Sequence, residues 1–552
     1  MPSRRDFLRL SAAVSAALPF GCGGSSAPEE QASAERPNII LIMADDMGYS
    51  DIGCYGGEIA TPHLDTLADG GLRFKQFYNG ARCCPTRAQL MTGLYAHQTG
   101  IGHMMEDYGL PGYRGDLNKN CVTIAEVMKS AGYTTLMTGK WHVTPNVDGP
   151  GDRHNWPRQR GYDHFFGTIH GAGSFYDPVS LTLENEYIEP EGDDWYYTNA
   201  IGDHAIEFIE AAPDDKPFFL YMPFTAAHWP LHAPEEDVEK YKGRYDIGWD
   251  KLREERYQRM IDLGVLKPEW PLSPRNAEAP AWEDAENKEW EDRRMEVYAA
   301  QVTIMDRNIG RVVAKLKDLG KYENTLVLFL IDNGGCAEEL RPGFKAHHVP
   351  EKTLDGRPVH GGNDPSDMPG QADDYQSYGL KWANSSNTPF RYFKHWVHEG
   401  GISTPLIAHW PAGVSAPGTW TEEPTHIIDI MATCADLGEA TYPTEFNGHQ
   451  ITPLEGKSLG PVIKGEGPAG HDAIYWEHEG NRAIRQGKWK LVSKWKPPEN
   501  DKWELYDMEA DRSEMHDLAA EMPDKVQEMA AKWQAWADRV GVVEWQSWKK
   551  DA

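Results

Sequence analysis

Four polar side chains in this sequence offer only hard oxygen atoms to a ligand. They are Asp45, Asp46, Asp332 and Asn333. The first pair follows the apolar run at residues 38–43, and the second pair follows the apolar run at residues 325–331. Three carboxylates and one amide oxygen are the ligands that Ca²⁺ or Mg²⁺ prefers, whereas Zn²⁺ prefers nitrogen and sulfur. The pattern predicts a divalent cation, with Ca²⁺ expected and Mg²⁺ as the alternative.

Three cations and two histidines accompany these acids. The cations are Arg87, Lys140 and Lys394, and the histidines are His142 and His228. Positive side chains are suited to hold a tetrahedral oxyanion whose charge grows in the transition state. Histidines titrate near neutral pH and can transfer protons. We therefore expect a substrate with an anionic head group.

The elements that must position these residues are short buried strands. Residues 133–137 lead into Lys140 and His142, and residues 217–222 lead toward His228. Short apolar runs of this kind are typical of strands in a sheet covered by helices on both faces. Ligands of open α/β sheets bind beyond the carboxyl ends of the strands. We therefore expect four strands to deliver these residues to one rim of an α/β sheet.

The segment Cys83-Cys-Pro-Thr-Arg87 resembles the CxPxR signature of the type I sulfatases. In that family the first Cys is oxidised to Cα-formylglycine, an aldehyde whose hydrate is the nucleophile. The resemblance covers the chain from about residue 37 onward. The resemblance is strongest to the bacterial arylsulfatases, whose sequence is similar at almost every position to residues 378–406. It implies a fold like that of alkaline phosphatase, with a large mixed, mostly parallel sheet sandwiched by helices.

The resemblance also implies a role for each matching residue. The matched calcium ligands are Asp45, Asp46, Asp332, Asn333 and the modified Cys83. Arg87 steadies the aldehyde hydrate, and Lys140 and Lys394 bind sulfate. His228 protonates the leaving oxygen, and His142 takes the proton whose removal expels sulfate. Taken singly, such residues are more often turns, solvated charges or structural histidines, but their joint order and spacing favours the functional interpretation.

The implied reaction is the hydrolysis of a sulfate monoester, in which Asp332 helps to activate the hydrate and Lys394 assists His228. Two alternatives stay open. A phosphonate monoester or phosphodiester hydrolase of the same superfamily could share Cys83, although those relatives tend to carry His where Asn333 stands. A catalytically inactive protein that binds sulfated glycans is the non-enzymatic alternative. The sequence does not separate aryl sulfates from carbohydrate sulfates, and it does not determine the oligomeric state.

The N-terminal residues have the pattern of an export signal. Residues 3–9 (Ser-Arg-Arg-Asp-Phe-Leu-Arg) resemble the twin-arginine motif, and an apolar run at residues 10–20 follows. We expect a periplasmic or cell-surface protein. It is either a lipoprotein acylated at Cys22 or a soluble form cleaved after Ala34, so a lipid on Cys22 is the only membrane attachment expected. Export after folding fits oxidation of Cys83 by a maturase in the cytoplasm.

Composition narrows the class of protein. The chain has 552 residues, of which 40% are hydrophobic, a formal net charge of −30 and seven cysteines. Such a charge argues against binding to nucleic acid or to an anionic membrane. The sparse cysteines do not form a disulfide scaffold. Local cations, and not the overall field, must therefore hold an anionic substrate.

We expect three segments along the chain. Residues 1–36 form the signal or tether, residues 37–465 the catalytic domain and residues 466–552 a small α+β domain. The last begins with two strand-like segments, at residues 472–476 and 482–492. It ends in a long helix whose apolar stripe is Val526, Met529, Ala530, Trp533, Trp536 and Val540. This stripe is expected to be core.

Overall fold

The computed structural model describes residues 36–147, 151–192, 194–496 and 502–546. The strands are β1 (Asn38–Ala44), β2 (Leu72–Tyr78), β3 (Thr134–Lys140), β4 (His164–Thr168), β5 (Leu181–Leu183), β6 (Glu186–Tyr187), β7 (Phe218–Pro223), β8 (Thr325–Ile331), β9 (His360–Gly361), β10 (Asp374–Tyr375), β11 (Ser403–His409), β12 (Thr419–Thr421), β13 (Thr425–His426), β14 (Glu445–Phe446), β15 (His449–Gln450), β16 (Ile474–His478), β17 (Asn481–Gln486), β18 (Trp489–Ser493) and β19 (Glu504–Asp507). The α-helices are α1 (Pro62–Asp69), α2 (Cys83–Thr92), α3 (Ala96–Thr99), α4 (Ile124–Ser130), α5 (Tyr197–Ala211), α6 (Glu235–Val238), α7 (Gly248–Asp262), α8 (Lys288–Asp318), α9 (Gly379–Ser386), α10 (Glu399–Ile402), α11 (Asp429–Leu437), α12 (Gly460–Ile463) and α13 (Pro523–Val540). Short 3₁₀ helices lie at Gly53–Tyr55, Pro157–Arg160, Glu239–Tyr241 and Trp282–Asp284.

The central sheet has eleven strands among the described residues. Its order is β12-β2-β11-β8-β1-β7-β3-β4-β5-β6, and β13 also pairs with β2. The run β8-β1-β7-β3-β4 is entirely parallel, whereas β11, β5 and β6 add antiparallel pairs toward the edges. The predicted large mixed, mostly parallel sheet is confirmed.

Helices cover both faces of this sheet. Alternate side chains of one strand therefore pack into two different hydrophobic cores, one on each face. In β1, Ile40 and Ile42 pack with helices α1, α5 and α8. Ile39 and Leu41 point the other way and pack with α2, α4 and α11. A strand buried on both faces needs a continuous apolar sequence, which β1 has. The predicted arrangement of a sheet sandwiched by helices is therefore confirmed.

The four strands expected to carry the site are present. Residues 38–43 and 325–331 form the neighbouring strands β1 and β8, and residues 217–222 form most of β7. The run at residues 133–137 forms β3, which continues to residue 140 and so includes Lys140. Since β8, β1, β7 and β3 are adjacent and parallel, their carboxyl ends share one rim.

A second, four-stranded antiparallel sheet lies near the C-terminus. It has the order β16-β17-β18-β19, and α13 covers it with Met529, Trp533 and Trp536. The predicted core stripe is thereby confirmed. The prediction of a single strand over residues 482–492 was wrong, because the chain turns at Gly487, whose φ of 57° suits glycine. Two paired strands, β17 and β18, result.

The predicted domain boundaries stay predictions. The C-terminal sheet begins at Ile474, after the boundary expected at residue 465. The expected signal segment lies outside the described residues, apart from Arg36. Within the described ranges, no helix is both long enough and apolar enough to cross a bilayer.

Candidate active site

The rim of the central sheet brings two acidic motifs together. Ala44 pairs with Ile331 at the ends of β1 and β8, so the residues that follow them emerge side by side. The backbone N–H of Asp46 donates to Asp332 Oδ1 over 3.2 Å. The register of two parallel strands therefore places the carboxylates of both motifs in one site.

Two cations pair with the innermost carboxylates. Arg87 Nη2 lies 3.3 Å from Asp45 Oδ2 and 3.0 Å from Asp332 Oδ2. Lys140 Nζ also pairs with Asp45 Oδ2. All four side chains are completely buried. Buried charges are stable only when they are paired in this way.

The Asp46 carboxylate contacts three more of the predicted site residues. Its Oδ1 accepts from Asn333 Nδ2 over 2.7 Å, and its Oδ2 accepts from Lys394 Nζ over 2.9 Å. His228 Nε2 lies 3.4 Å from the same Oδ2. A single carboxylate therefore connects a predicted metal ligand, a predicted sulfate ligand and the predicted acid.

Cys83 is the first residue of α2, whose N-terminus has the partial positive charge that favours anions. It is buried, and it interacts electrostatically with Asp45, Arg87 and Lys394. Its pKa is lowered well below the usual value, chiefly by a hydrogen bond from Cys84, which with nearby positive charge outweighs burial. The side chain thus faces the same cluster as the acids.

The two predicted histidines differ in their surroundings. His228 Nδ1 lies 2.6 Å from the carbonyl oxygen of Trp229, so Nδ1 carries a proton and Nε2 faces the site. His142 Nδ1 has no hydrogen-bond partner in the described chain, and its ligand atom lies within 4.8 Å of Cys83 Sγ. Burial, with Lys140 nearby, lowers the pKa of His142 to about 3. His142 is therefore neutral near pH 7.

Several residues at the rim have a left-handed backbone. The φ angles are 60° at Asp46, 68° at Ala81, 59° at His142 and 80° at His395. Non-glycine residues rarely adopt this conformation, and where they do they cluster at functional sites. The fold therefore holds these side chains in place against a local conformational preference.

The acidic residues fit a divalent cation. Asp45 Oδ1 and Asn333 Oδ1 are buried oxygen atoms without a hydrogen-bond partner in the described residues. Lys140 and Arg87 lower the pKa of Asp45 to about 2 although burial raises it, whereas burial and Asp45 hold the pKa of Asp332 well above its usual value. A bound cation would satisfy the two free oxygens and favour ionised Asp332.

The structure thus brings together every residue that the sequence singled out. They are Asp45, Asp46, Cys83, Arg87, Lys140, His142, His228, Asp332, Asn333 and Lys394. Their individual roles remain predictions.

Other residues at the site were not predicted from the sequence. The rings of His170 and His142 are stacked, with 6.2 Å between their centroids. The centroid of the His348 ring lies 4.9 Å from that of His170 and 5.5 Å from that of Trp229. Glu338 accepts a hydrogen bond from Trp229 Nε1 over 2.8 Å. These residues lie on loops outside the recognisable motifs. The one available signal is the position of Glu338, six residues beyond Asp332.

Comparison with known proteins agrees with this geometry. The sequence model of the sulfatase family matches residues 37–440, and the model of the C-terminal part of N-sulphoglucosamine sulphohydrolase matches residues 389–536. An uncharacterised sulfatase of Schizosaccharomyces pombe is 34% identical, over 93% of this chain and 96% of its own length. The arylsulfatase of Klebsiella aerogenes is also 34% identical, over 82% of this chain and 96% of its own.

Solved structures show the same fold. The structure of BT4656, in complex with its substrate D-glucosamine-2-N,6-O-disulfate, superimposes with a TM-score of 0.62. The superposition covers 93% of this chain and all of that one, at 23% identity. The family match spans most of the chain, and a relative at 34% identity covers 93% of it. The chain therefore belongs to the sulfatase family of sulfuric ester hydrolases.

Proposed function

We propose that the protein hydrolyses sulfate monoesters with a formylglycine formed from Cys83 and a bound Ca²⁺. The observation that carries this proposal is the buried cluster at the rim, in which three carboxylates and three cations are paired and Cys83, at a helix N-terminus, interacts electrostatically with Asp45, Arg87 and Lys394. A site of this kind can bind a doubly charged cation and an anionic group together. Mg²⁺ is the alternative cation.

Asp45, Asp46, Asp332 and Asn333 would hold the cation through oxygen atoms. When bound, the cation supplies positive charge to the sulfate group, and the hydrated aldehyde supplies a nucleophilic oxygen. Two of the four residues already present unpaired buried oxygens in the described structure, Asp45 Oδ1 and Asn333 Oδ1. These atoms support the choice of a hard, oxygen-seeking ion.

Three cations of the chain would hold the sulfate group and the nucleophile. Lys140 pairs with Asp45, and Lys394 pairs with Asp46. Arg87 lies between Asp45 and Asp332 and orients both. In a site closed to water, such preorganised charges act strongly on an oxyanion.

The two histidines would divide the proton transfers. Nδ1 of His228 donates to a carbonyl, so a second proton on Nε2 can pass to the departing oxygen of the ester. His142 is neutral and lies beside Cys83, so it can accept the proton of a hydroxyl at that position. Acid and base are thus two different histidines of one site.

The natural ester is an aryl sulfate or a carbohydrate sulfate. The Klebsiella relative is an arylsulfatase, and BT4656 acts on a sulfated glucosamine, so relatives in both classes support sulfate monoesters. The remaining partner is the maturase that oxidises Cys83. We further propose export by the twin-arginine route to the periplasm or cell surface, with or without a lipid on Cys22.

The test is an assay of the matured protein on esters that differ in one group. p-Nitrophenyl sulfate and a set of sulfated sugars should be hydrolysed, and metal removal should abolish the reaction. Phosphonate monoesters and phosphodiesters with the same aryl group should react far more slowly. Faster hydrolysis of those esters would favour the alternative hydrolase, and binding of sulfated glycans without turnover would favour an inactive binding protein.

A further inference from the structure

Glu338 contacts the sequence neighbours of three predicted site residues. Its Oε2 accepts from Trp229 Nε1 over 2.8 Å, and Trp229 follows His228. Its Oε1 lies 3.1 Å from His395 Nε2 and 3.8 Å from Arg82 Nη2. His395 follows Lys394, and Arg82 precedes Cys83. One carboxylate thus ties together three separate segments of the site.

Glu338 also acts on a site residue directly. Lys394 Nζ lies 3.9 Å from Glu338 Oε1 and 2.9 Å from Asp46 Oδ2. The Lys394 side chain is almost completely buried, so this negative charge is felt with little screening by solvent. His228 Nε2 faces the same oxygen of Asp46 at 3.4 Å. Glu338 therefore supports Lys394, which the family resemblance pairs with His228 in assisting the leaving group, and it contacts the loop that carries His228.

His395 fixes the position of Glu338. Its two ring nitrogens face carboxylates, since Nδ1 lies 2.9 Å from Glu479 Oε2 and Nε2 lies 3.1 Å from Glu338 Oε1. Carboxylates only accept, so both nitrogens donate and the imidazole is positively charged. The pair of acids raises the pKa of His395, although burial and Arg82 oppose the change. His395 is a charged bridge between two glutamates.

Glu479 belongs to the turn between β16 and β17 in the C-terminal sheet. Its Oε1 accepts from Arg82 Nη1 over 2.6 Å and lies 3.1 Å from His103 Nε2. His395 and Glu479, together with the neighbouring His478, have side chains that could hold a metal ion. Arg82 already supplies the positive charge there, so the cluster is better explained as a support than as a metal site.

We propose that Glu338 is a positioning residue for expulsion of the leaving group, and that Glu479 holds it in place through His395 and Arg82. This inference rests on the proposed function. A shift of about 1 Å in a catalytic group can cost about 100-fold in rate. Loss of the Glu338 charge would loosen Lys394 and the loop that carries His228. It should therefore slow esters whose departing oxygen needs a proton more than esters whose departing oxygen does not.

The experiment compares Glu338→Gln with Glu339→Gln in the matured, full-length protein. Glu339 is the next residue, and its carboxylate pairs with Arg294 at 3.0 Å instead of with the site. The measurement is kcat/KM for aryl sulfates from p-nitrophenyl sulfate to phenyl sulfate. We expect Glu338→Gln to lose about tenfold more activity on phenyl sulfate than on p-nitrophenyl sulfate. Glu479→Gln should lose about threefold more activity on phenyl sulfate than on p-nitrophenyl sulfate. Glu339→Gln should leave the ratio of kcat/KM for the two esters unchanged.

Equal losses on every ester, or no loss, in Glu338→Gln would overturn the inference. If that variant does not fold, Trp229→Phe removes the N–H that donates to Glu338 together with part of the indole ring, and should also reduce activity on phenyl sulfate more than on p-nitrophenyl sulfate. If the wild-type protein is active but these variants leave the ratio of kcat/KM for the two esters unchanged, the result contradicts this inference and leaves the proposed function standing. A matured wild-type protein that hydrolyses none of the esters would contradict the proposed function and this inference with it.

Discussion

The rim of the central sheet and a second region near the C-terminal sheet both contain completely buried ions. Of the two, only the rim has described ligand oxygens that face neither a cation nor a hydrogen-bond donor. The second set, which we call the C-terminal cluster, consists of Glu399, Lys490, Arg512 and Glu514. Lys490 Nζ lies 2.8 Å from Glu399 Oε1 and 2.7 Å from Glu514 Oε1. The second oxygen of Glu399 meets the hydroxyl of Tyr78 over 3.2 Å, and that of Glu514 meets a backbone N–H over 3.0 Å.

The difference between the two clusters separates binding from support. In the C-terminal cluster every carboxylate oxygen faces a cation, an N–H or an O–H, so nothing is left for a ligand. At the rim, Asp45 Oδ1 and Asn333 Oδ1 lack such partners within the described structure. Buried ionic groups are therefore not evidence of a site by themselves, whereas unpaired oxygens of two predicted ligands beside the same buried ions support one. Substitutions in the two clusters should have different consequences.

The largest effect should follow the loss of the nucleophile. Cys83→Ala should reduce the turnover of p-nitrophenyl sulfate by at least roughly 10⁴-fold, since losing a nucleophile removes the covalent pathway. The thermal unfolding temperature should change little. Cys84→Ala should keep measurable turnover, because Cys84 has no Pro and Arg at the positions the signature requires. Retained turnover in Cys83→Ala would contradict the assignment of the nucleophile.

The next effect should be loss of the metal. Asp45→Asn or Asp332→Asn removes one of the converging carboxylates, so stoichiometric Ca²⁺ should disappear from elemental analysis together with most activity. Glu514→Gln makes the same kind of change in the C-terminal cluster and should keep the metal. Stoichiometric Zn²⁺ in active wild-type protein would contradict the argument from oxygen ligands.

His228→Ala should have a selective effect. A nitrophenoxide leaves without much protonation, whereas a sugar alkoxide needs a proton as the bond breaks. The variant should slow sulfated sugars by about 10²-fold or more and p-nitrophenyl sulfate much less, in single-turnover assays. An equal loss on both would transfer the acid role to Lys394, which pairs with the same oxygen of Asp46.

The smallest effect on chemistry should come from the C-terminal cluster. Lys490→Met leaves two buried carboxylates without their shared cation, and should lower the free energy of unfolding by about 3–5 kcal/mol. Lys488→Met, in the same hairpin, breaks an ion pair with Asp507 in which the lysine is exposed, and should change the free energy of unfolding far less than Lys490→Met does. Chemical denaturation measures both. A folded Lys490→Met protein should keep its metal, and loss of the metal would show that the two clusters are coupled.

The rim was predictable from the sequence because each of its motifs lies at or near the end of an apolar strand. Asp45 and Asp332 are each one residue beyond their strands, and parallel pairing of β1 with β8 brings them together. Local sequence therefore determines both the element and the position of the side chain. The position of Lys140 at the rim was predictable for the same reason, since Lys140 is the last residue of β3.

The supporting residues were not predictable in this way. Glu338 and His395 lie on loops whose paths depend on tertiary packing, and Glu479 reaches them from a separate sheet. The C-terminal cluster joins residues 399, 490, 512 and 514, and no local periodicity relates these positions. The turn at Gly487 was missed because residues 482–492 contain enough apolar residues for one strand. Contacts between segments that are distant in sequence depend on how the loops and the C-terminal sheet pack against the rest of the protein, and the local sequence pattern does not determine that packing.

The most direct test of the central claim is the mass of the peptide that contains Cys83, taken from protein made with a formylglycine-generating maturase. The account predicts an aldehyde at Cys83 and an unmodified thiol at Cys84, with the aldehyde fraction rising in proportion to the specific activity on p-nitrophenyl sulfate. An unmodified Cys83 thiol in fully active protein would contradict the account.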